Sequence, residues 1–306
     1  MIFWQIVLLA VGFAMLIKGA DWFVDGASGI AGRLGIPQIV VGLTIVAMGT
    51  SAPEAAVSIT AALRDNADIA VGNVVGSNIL NILIILGITS VIAPLAVRKS
   101  TWKIEIPYMI GITLIFVFLG RAGGNLSFAE GLLLWGLFLA YLVYLFLLAK
   151  RQREEKQKNE KSLGRLLVCL AAGGAVVVLG SDITVDSATQ IARALGVSDR
   201  FIGLTIVALG TSLPELVTSV AAARKGNADI AIGNIVGSNI FNILFVLGTS
   251  ALITPVPYRA DFLTDGIIAA MSGVLLWAAV LRKKQLTRPW GIVMLVCYAA
   301  YFACLL

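Results

Sequence analysis

Histidine is absent from this 306-residue chain, and only three residues are cysteine. Without imidazole, Ser–His hydrolases, His-ligated zinc sites and His-ligated haem are excluded. Cys169, Cys297 and Cys304 are odd in number and lie in apolar stretches. That argues against a disulfide framework or a metal–thiolate site. Charge is scarce as well: 13% of residues are charged, against about 25% in an ordinary soluble domain. What is there instead is apolar, 59% of the chain, in recurring runs of about 18–25 residues, each long enough to cross a hydrocarbon core of about 30 Å. The first run, Ile2 to Ile17, has no basic leader and no clear small-x-small cleavage site. Since more spans follow, it reads as a first membrane helix rather than a signal peptide.

The pattern predicts an all-α membrane protein with ten transmembrane helices, at 2–27, 38–63, 69–93, 104–120, 127–149, 164–188, 199–223, 230–253, 263–281 and 289–306. Between the fifth and sixth lies the polar stretch 150–165, with seven basic and three acidic residues. Two segments repeat at an offset of 161 residues. LGIPQIVVGLTIVAMGTSAPE matches LGVSDRFIGLTIVALGTSLPE, and NADIAVGNVVGSNILNILIILG matches NADIAIGNIVGSNIFNILFVLG. From Leu34 to Pro94 against Leu195 to Pro255, 35 of 61 positions are identical without a gap. The offset also relates Asp21 to Asp182 and Asp25 to Asp186.

A unit of five spans is odd in number, so its second copy enters the membrane from the other side. The expected architecture is two inverted five-helix repeats, 1–149 and 166–306, joined by a short cytoplasmic connector at 150–165, as in secondary transporters. With both termini outside, 17 basic residues fall on inner loops and five on outer ones, Lys18 being counted with neither. This follows the positive-inside rule and supports a multi-pass protein with a cytoplasmic connector; the expected location is a prokaryotic cytoplasmic membrane. The net charge of +6 comes from those inner loops and gives no reason to invoke nucleic acid. The lipid bilayer is the expected surrounding, and a monomer the expected working unit.

Glu54 and Glu215 each sit in the middle of a span. An ionisable side chain at a helix centre costs roughly 2.5–3.5 kcal/mol on insertion scales, and the repeat spans hold no Lys or Arg at comparable depth. Each glutamate follows a proline, in GTSAPE and GTSLPE. Proline lacks an amide proton and clashes with the carbonyl four residues back, so Pro53 and Pro214 should free the carbonyls of Gly49 and Gly210. Such a kink should also turn the carbonyls of Ala47, Thr50, Ala208 and Thr211 toward one point. On the third and eighth spans, Ser77 and Asn81, like Ser238 and Asn242, are four apart and share a helix face. Asn78 and Asn239 fit either a site or interhelical glue. Two carboxylates, hydroxyls, amide oxygens and carbonyls make an all-oxygen site of charge about −2. That composition suits Ca²⁺, and the same oxygens accept Na⁺, so the two ions can compete for shared carboxylates.

The paired GTS-x-PE and GSN-x-x-N segments resemble the two α-repeats of the calcium/cation antiporter superfamily, in its sodium/calcium exchanger branch. The resemblance implies a central site formed by Glu54 and Glu215, with Thr50, Thr211, Ala47, Ala208, Ser51, Ser212, Ser77, Ser238, Asn81 and Asn242 around it. It implies Ca²⁺ and Na⁺ as cargo, no cofactor, and first and sixth helices that slide to alternate access. Some family members carry an aspartate where this chain has Asn242, which argues against K⁺ co-transport. The connector is too short to hold the large calcium-sensing loop of animal exchangers, so no regulation through such a loop is expected. Two other readings remain. One is a proton-coupled antiporter of the same fold, whose repeats typically read GN-x-x-E. The other is an intramembrane enzyme using the two glutamates as acid and base, for which the inner loops offer no nucleophile, metal or phosphate-binding cluster.

Overall fold

The computed structural model describes residues 2–64, 66–153, 161–196 and 208–305, and nearly all of them are helical. In the first half these are α1 (Ile2–Leu34), α2 (Gln38–Thr50), α3 (Ala52–Leu63), α4 (Asp68–Ile92), α5 (Thr101–Gly123) and α6 (Phe128–Arg151). In the second half they are α7 (Leu163–Ala194), α8 (Ala208–Gly210), α9 (Leu213–Arg224), α10 (Ala228–Ile253), α11 (Asp261–Leu281) and α12 (Arg288–Leu305). Among the described residues seven helices are long and apolar enough to cross a membrane. The pair α2 and α3, bent by 51° at its break, makes an eighth if taken as one span.

The helices at 2–27 and 164–188 run further than the sequence suggested, to Leu34 and Ala194. Arg33 and Arg193 therefore belong to last helical turns rather than to loops. A cation there complements the negative end of the helix dipole. The expected seventh span begins outside the described residues, as does the middle of the connector, 154–160.

Burial separates the helices into two groups. The most apolar stretch of α10 is 94% buried, whereas that of α1 is 17% buried. The main core packs around α4 and α10, drawing in Phe116, Leu134, Leu276 and Met294 from the helices outside them. α1 and α7 lie along each other at the edge, around a small separate cluster of Leu16, Ala20 and Val177. Glycines seven apart, at 12, 19 and 26 on α1 and at 173 and 180 on α7, bring these two backbones together. A Cβ on Gly180 would lie 2.9 Å from Met15 Cβ and 3.0 Å from the Leu16 amide nitrogen. Small residues that let helix backbones touch are the usual packing device where lipid removes the hydrophobic drive.

Two short antiparallel ribbons tie the halves together: β1 (Leu95–Ala96) pairs with β4 (Gln285–Leu286), and β2 (Asn125–Leu126) with β3 (Val256–Pro257). Each pairs a connection of the first half with one of the second.

Candidate cation site

The break between α2 and α3 begins at Ser51, whose ψ of 8° ends the helical run. Pro53 then falls in the first turn of α3, and Pro214 in the first turn of α9. A proline there costs no hydrogen bond, since the first amides of a helix have no intrahelical acceptor. The proline thus starts a new half-helix rather than kinking a continuous one. Glu54 and Glu215 sit in the first turns of these half-helices, where the positive end of the dipole favours a carboxylate.

Both glutamates are buried, at 1% and 0% exposure, and each is held by the other half of the chain. Ser51 Oγ donates to Glu215 Oε1 at 2.7 Å, and Ser212 Oγ donates to Glu54 Oε1 at 3.2 Å. The hydroxyls of Thr50 and Thr211 stand beside the same carboxyls, and the two carboxyls are near enough to feel each other's charge. Among the described residues, no Lys or Arg forms an ion pair with either glutamate. The second oxygen of each, Oε2, is buried and has no hydrogen-bond donor in bonding geometry among the described residues.

The asparagines repeat this pattern one layer away. Asn78 and Asn239 donate to each other's main-chain carbonyls, at 3.2 and 3.1 Å. Asn81 Nδ2 donates to Asn239 Oδ1 at 2.9 Å, and Asn242 Nδ2 to Asn78 Oδ1 at 3.1 Å. Asn78 and Asn239 are thereby the clamp, and their oxygens are used. The side-chain oxygens of Asn81 and Asn242 are left buried without a partner. Both residues begin π-helical turns, Asn81–Leu86 and Asn242–Leu247, a distortion frequent at functional sites.

Other expected ligands are placed differently. The Ala47 carbonyl is not free: it accepts the Ser51 amide at 3.0 Å, and the hydroxyls of Thr50 and Ser238 approach at 3.3 and 3.4 Å. The freed Gly210 carbonyl accepts Ser181 Oγ from α7 at 2.7 Å instead of facing a void. Ser77 is buried in the same region. Ala208 opens α8 at the edge of the described residues, and the stretch before it lies outside them.

Sequence reasoning missed Asn73 and Asn234. Asn73 Nδ2 donates to the Glu54 carbonyl at 3.2 Å and to Ser58 Oγ at 2.9 Å. Asn234 Nδ2 does the same to Glu215 and Ser219, at 3.3 and 3.0 Å, and its oxygen accepts from Thr50 at 3.0 Å. The signal was present: both asparagines are polar, mid-span and inside the repeated NADIAxGN segment.

Beside the site, a cavity of about 470 Å³ is bordered by Pro53, Ser181, Asp182, Asp186, Gly210 and Thr211. Among the described residues no group of three or more His, Cys, Asp or Glu gathers as a tight metal-binding cluster. Two carboxylates with hydroxyl and amide oxygens suit a hard cation that enters and leaves rather than a locked structural metal.

A buried carboxylate pair and two buried amide oxygens without donors among the described residues, in a bundle of membrane-length apolar helices, have the composition expected of a cation carrier. The sequence profile of the sodium/calcium exchanger protein family matches residues 4–147 and 165–306, and the chain belongs to that family. It is 42% identical over 309 residues to the putative antiporter CaxA of Alkalimonas amylolytica, covering 96% of both chains. It is 33% identical over 341 residues to the sodium/calcium exchanger MaX1 of Methanosarcina acetivorans, covering 97% of both. Its fold superposes on the solved sodium-calcium exchanger NCX_Mj with a TM-score of 0.88 at 33% identity, over 100% of both chains. The chain is thus a multi-pass membrane cation antiporter and not an enzyme.

Proposed function

We propose that this antiporter exchanges Ca²⁺ for Na⁺ at one shared site centred on Glu54 and Glu215. The observation that carries this is the split role of the two carboxylates. In each, one oxygen takes a serine hydroxyl from the opposite half of the chain, and the other is buried without a donor. A buried, donor-free carboxylate oxygen is costly unless a cation completes it. Two of them, with Asn81 Oδ1 and Asn242 Oδ1, give charge −2 and only oxygen ligands. Ca²⁺ balances that charge in one ion, and Na⁺ does so in more than one. Thr50, Thr211, Ser51, Ser212, Ser77 and Ser238 supply hydroxyls, and Ala47 and Ala208 supply carbonyls. Ala47 becomes available when the weakly held Thr50 and Ser238 hydroxyls rotate away.

On this reading the chain has ten transmembrane helices in two inverted repeats, 1–149 and 166–306, with 150–165 as a cytoplasmic connector. Both ribbons support it, since each joins connections that the topology assigns to the same membrane side. Both termini then face outward from a prokaryotic cytoplasmic membrane. One chain is the working unit, because both halves of the site come from it. Alternating access arises as the peripheral α1–α7 pair slides over the core. Its small separate cluster and close glycine seam suit such sliding.

In proteoliposomes, Na⁺ loaded inside should drive ⁴⁵Ca²⁺ uptake at constant pH, and a pH gradient in Na⁺-free buffer should drive little. The duplicated hydroxyls have a purpose for Na⁺, whereas a proton needs only a carboxylate. Uptake that follows the pH gradient and ignores Na⁺ would show the proton-coupled carrier instead.

A further inference from the structure

Buried side-chain oxygens without a donor mark the exchange site, and the same signature occurs at a second place. Glu105 is buried in the π-helical first turn of α5, Thr101–Glu105, and no described Lys or Arg forms an ion pair with it. Tyr144 on α6 donates its hydroxyl to Glu105 Oε1. Among the described residues, Glu105 Oε2 and the Ser100, Thr101 and Tyr141 hydroxyls, all in buried residues, have no partner in hydrogen-bonding geometry. The Ser100 and Thr101 hydroxyls face the Glu105 carboxyl. Tyr141 borders with Glu105 a cavity of about 200 Å³ between α5 and α6, and is fixed there by stacking on Tyr108 at 5.5 Å.

Past Pro255 the repeats run at an offset of 160, relating Gly131 to Gly291, Glu105 to Asp265 and Tyr141 to Tyr301, and Tyr301 donates to Asp265 Oδ1 at 2.9 Å. The second repeat thus keeps a carboxylate–tyrosine pair here but has Ala260, Asp261 and Cys304 where the first has Ser100, Thr101 and Tyr144, so the hydroxyl-rich form belongs to the first repeat. An intramembrane carboxylate that no base neutralises is a costly feature to carry without use.

We infer that Glu105, Thr101, Ser100 and Tyr141 form a second cation site, specific for a monovalent ion of the Na⁺ or K⁺ class. One carboxylate and three neutral hydroxyl oxygens compensate a single positive charge. A divalent ion there would leave a net charge buried in low dielectric, which is unfavourable. Ser100 also lines the neighbouring groove, where Lys99, Lys103 and Arg151 meet the solvent, so an ion has a path from that side. These three basic side chains are exposed and hydrated, which screens their repulsion of an entering cation.

The inference stands apart from the Ca²⁺/Na⁺ assignment, and its test removes the exchange site first. The full chain carrying Glu54→Gln and Glu215→Gln is heated in NaCl, in KCl and in N-methylglucamine chloride at equal ionic strength. A saturable rise in Tm of about 2 °C or more in Na⁺ or K⁺ over N-methylglucamine is expected. Adding Glu105→Gln, or the pair Thr101→Val and Tyr141→Phe should Glu105→Gln misfold, should erase it. Should the Glu54→Gln and Glu215→Gln background itself misfold, bound ²²Na⁺ or ⁸⁶Rb⁺ is counted on the otherwise native chain. The count should fall by one ion on Thr101→Val with Tyr141→Phe. No monovalent-specific rise, a rise that survives these substitutions, or an unchanged ion count would overturn the second site. Any of those results would leave Glu105 as a neutral acid hydrogen-bonded to Tyr144.

Discussion

At the scale of single residues, the cross-held serines set what a substitution can do. Replacing Glu54 or Glu215 with glutamine keeps the volume and the acceptor for Ser212 or Ser51, so the fold should survive. What goes is one of the two charges that the proposed site offers its cargo. At an effective dielectric of about 20, a unit charge within a few ångströms of a divalent ion is worth several kcal/mol. Each 1.4 kcal/mol is about a factor of ten. Ca²⁺ affinity should therefore fall by at least about 100-fold in either variant, read by isothermal titration, while circular dichroism stays that of the folded protein. Near wild-type Ca²⁺ exchange in either variant would break the shared-site reading.

The glutamates, serines and the Asn81 and Asn242 pair were legible in the sequence because charge and amide at mid-span are conspicuous against leucine and valine. The division of labour among the asparagines was not. Asn78 and Asn81 look equivalent as letters, and only the packing of α4 on α10 makes Asn78 a clamp and leaves the Asn81 oxygen bare. The carbonyls were harder still. Proline spacing shows that a helix must break, but whether a freed carbonyl meets a cavity or a hydroxyl such as Ser181 depends on a helix nearly thirty residues away.

At the scale of elements, the structure treats the two ends of the α1–α7 pair differently. Lys225, just past α9, reaches Asp25 at 2.8 Å and Asp21 at 3.1 Å on α1. The offset of 161 turns Lys225 into Arg64, and Asp21 and Asp25 into Asp182 and Asp186. Arg64 makes no ion pair with any described residue, and Asp182 and Asp186 border the cavity next to Thr211 instead. Inverted repeats that exchange conformations should exchange this bridge too: as α1 slides away from Lys225, α7 closes on Arg64. Such partly exposed pairs are worth only about 0–1 kcal/mol, which suits a contact made and broken in every cycle. Cysteine pairs are the measurement, with Cys169, Cys297 and Cys304 first replaced by serine. Asp25→Cys with Lys225→Cys, and Arg64→Cys with Asp186→Cys, should each cross-link, each stop transport, and each release it on reduction. A second pair that never cross-links under turnover would contradict the exchange of bridges.

At the scale of the whole molecule, topology is the property to measure. Single cysteines in the same cysteine-free background, at Lys156 and Lys283, should react only with reagent on the cytoplasmic side. Those at Arg121 and Arg259 should react only from outside. The basis is the 17-to-5 distribution of basic residues, with Lys156 itself outside the described residues. Labelling of positions 121 and 156 from one side would break the inverted arrangement.

The sequence by itself determined the membrane class, the duplication and the two glutamates. Each of these is written locally: in runs of apolar residues as long as a bilayer is thick, in a fixed offset, and in a charge that lipid would reject. It also pointed to oxygen ligands, since a chain without histidine, with its few cysteines in apolar spans, offers neither imidazole nor thiolate beside the two glutamates. The tertiary structure decided the pairings across 158 to 164 residues, Ser51 with Glu215, Ser212 with Glu54 and Asn78 with Asn239. It decided equally which oxygens end without a donor, at the exchange site and around Glu105. Whether a buried oxygen is satisfied depends on the geometry of helices distant in the chain, and no local pattern of residues encodes that geometry.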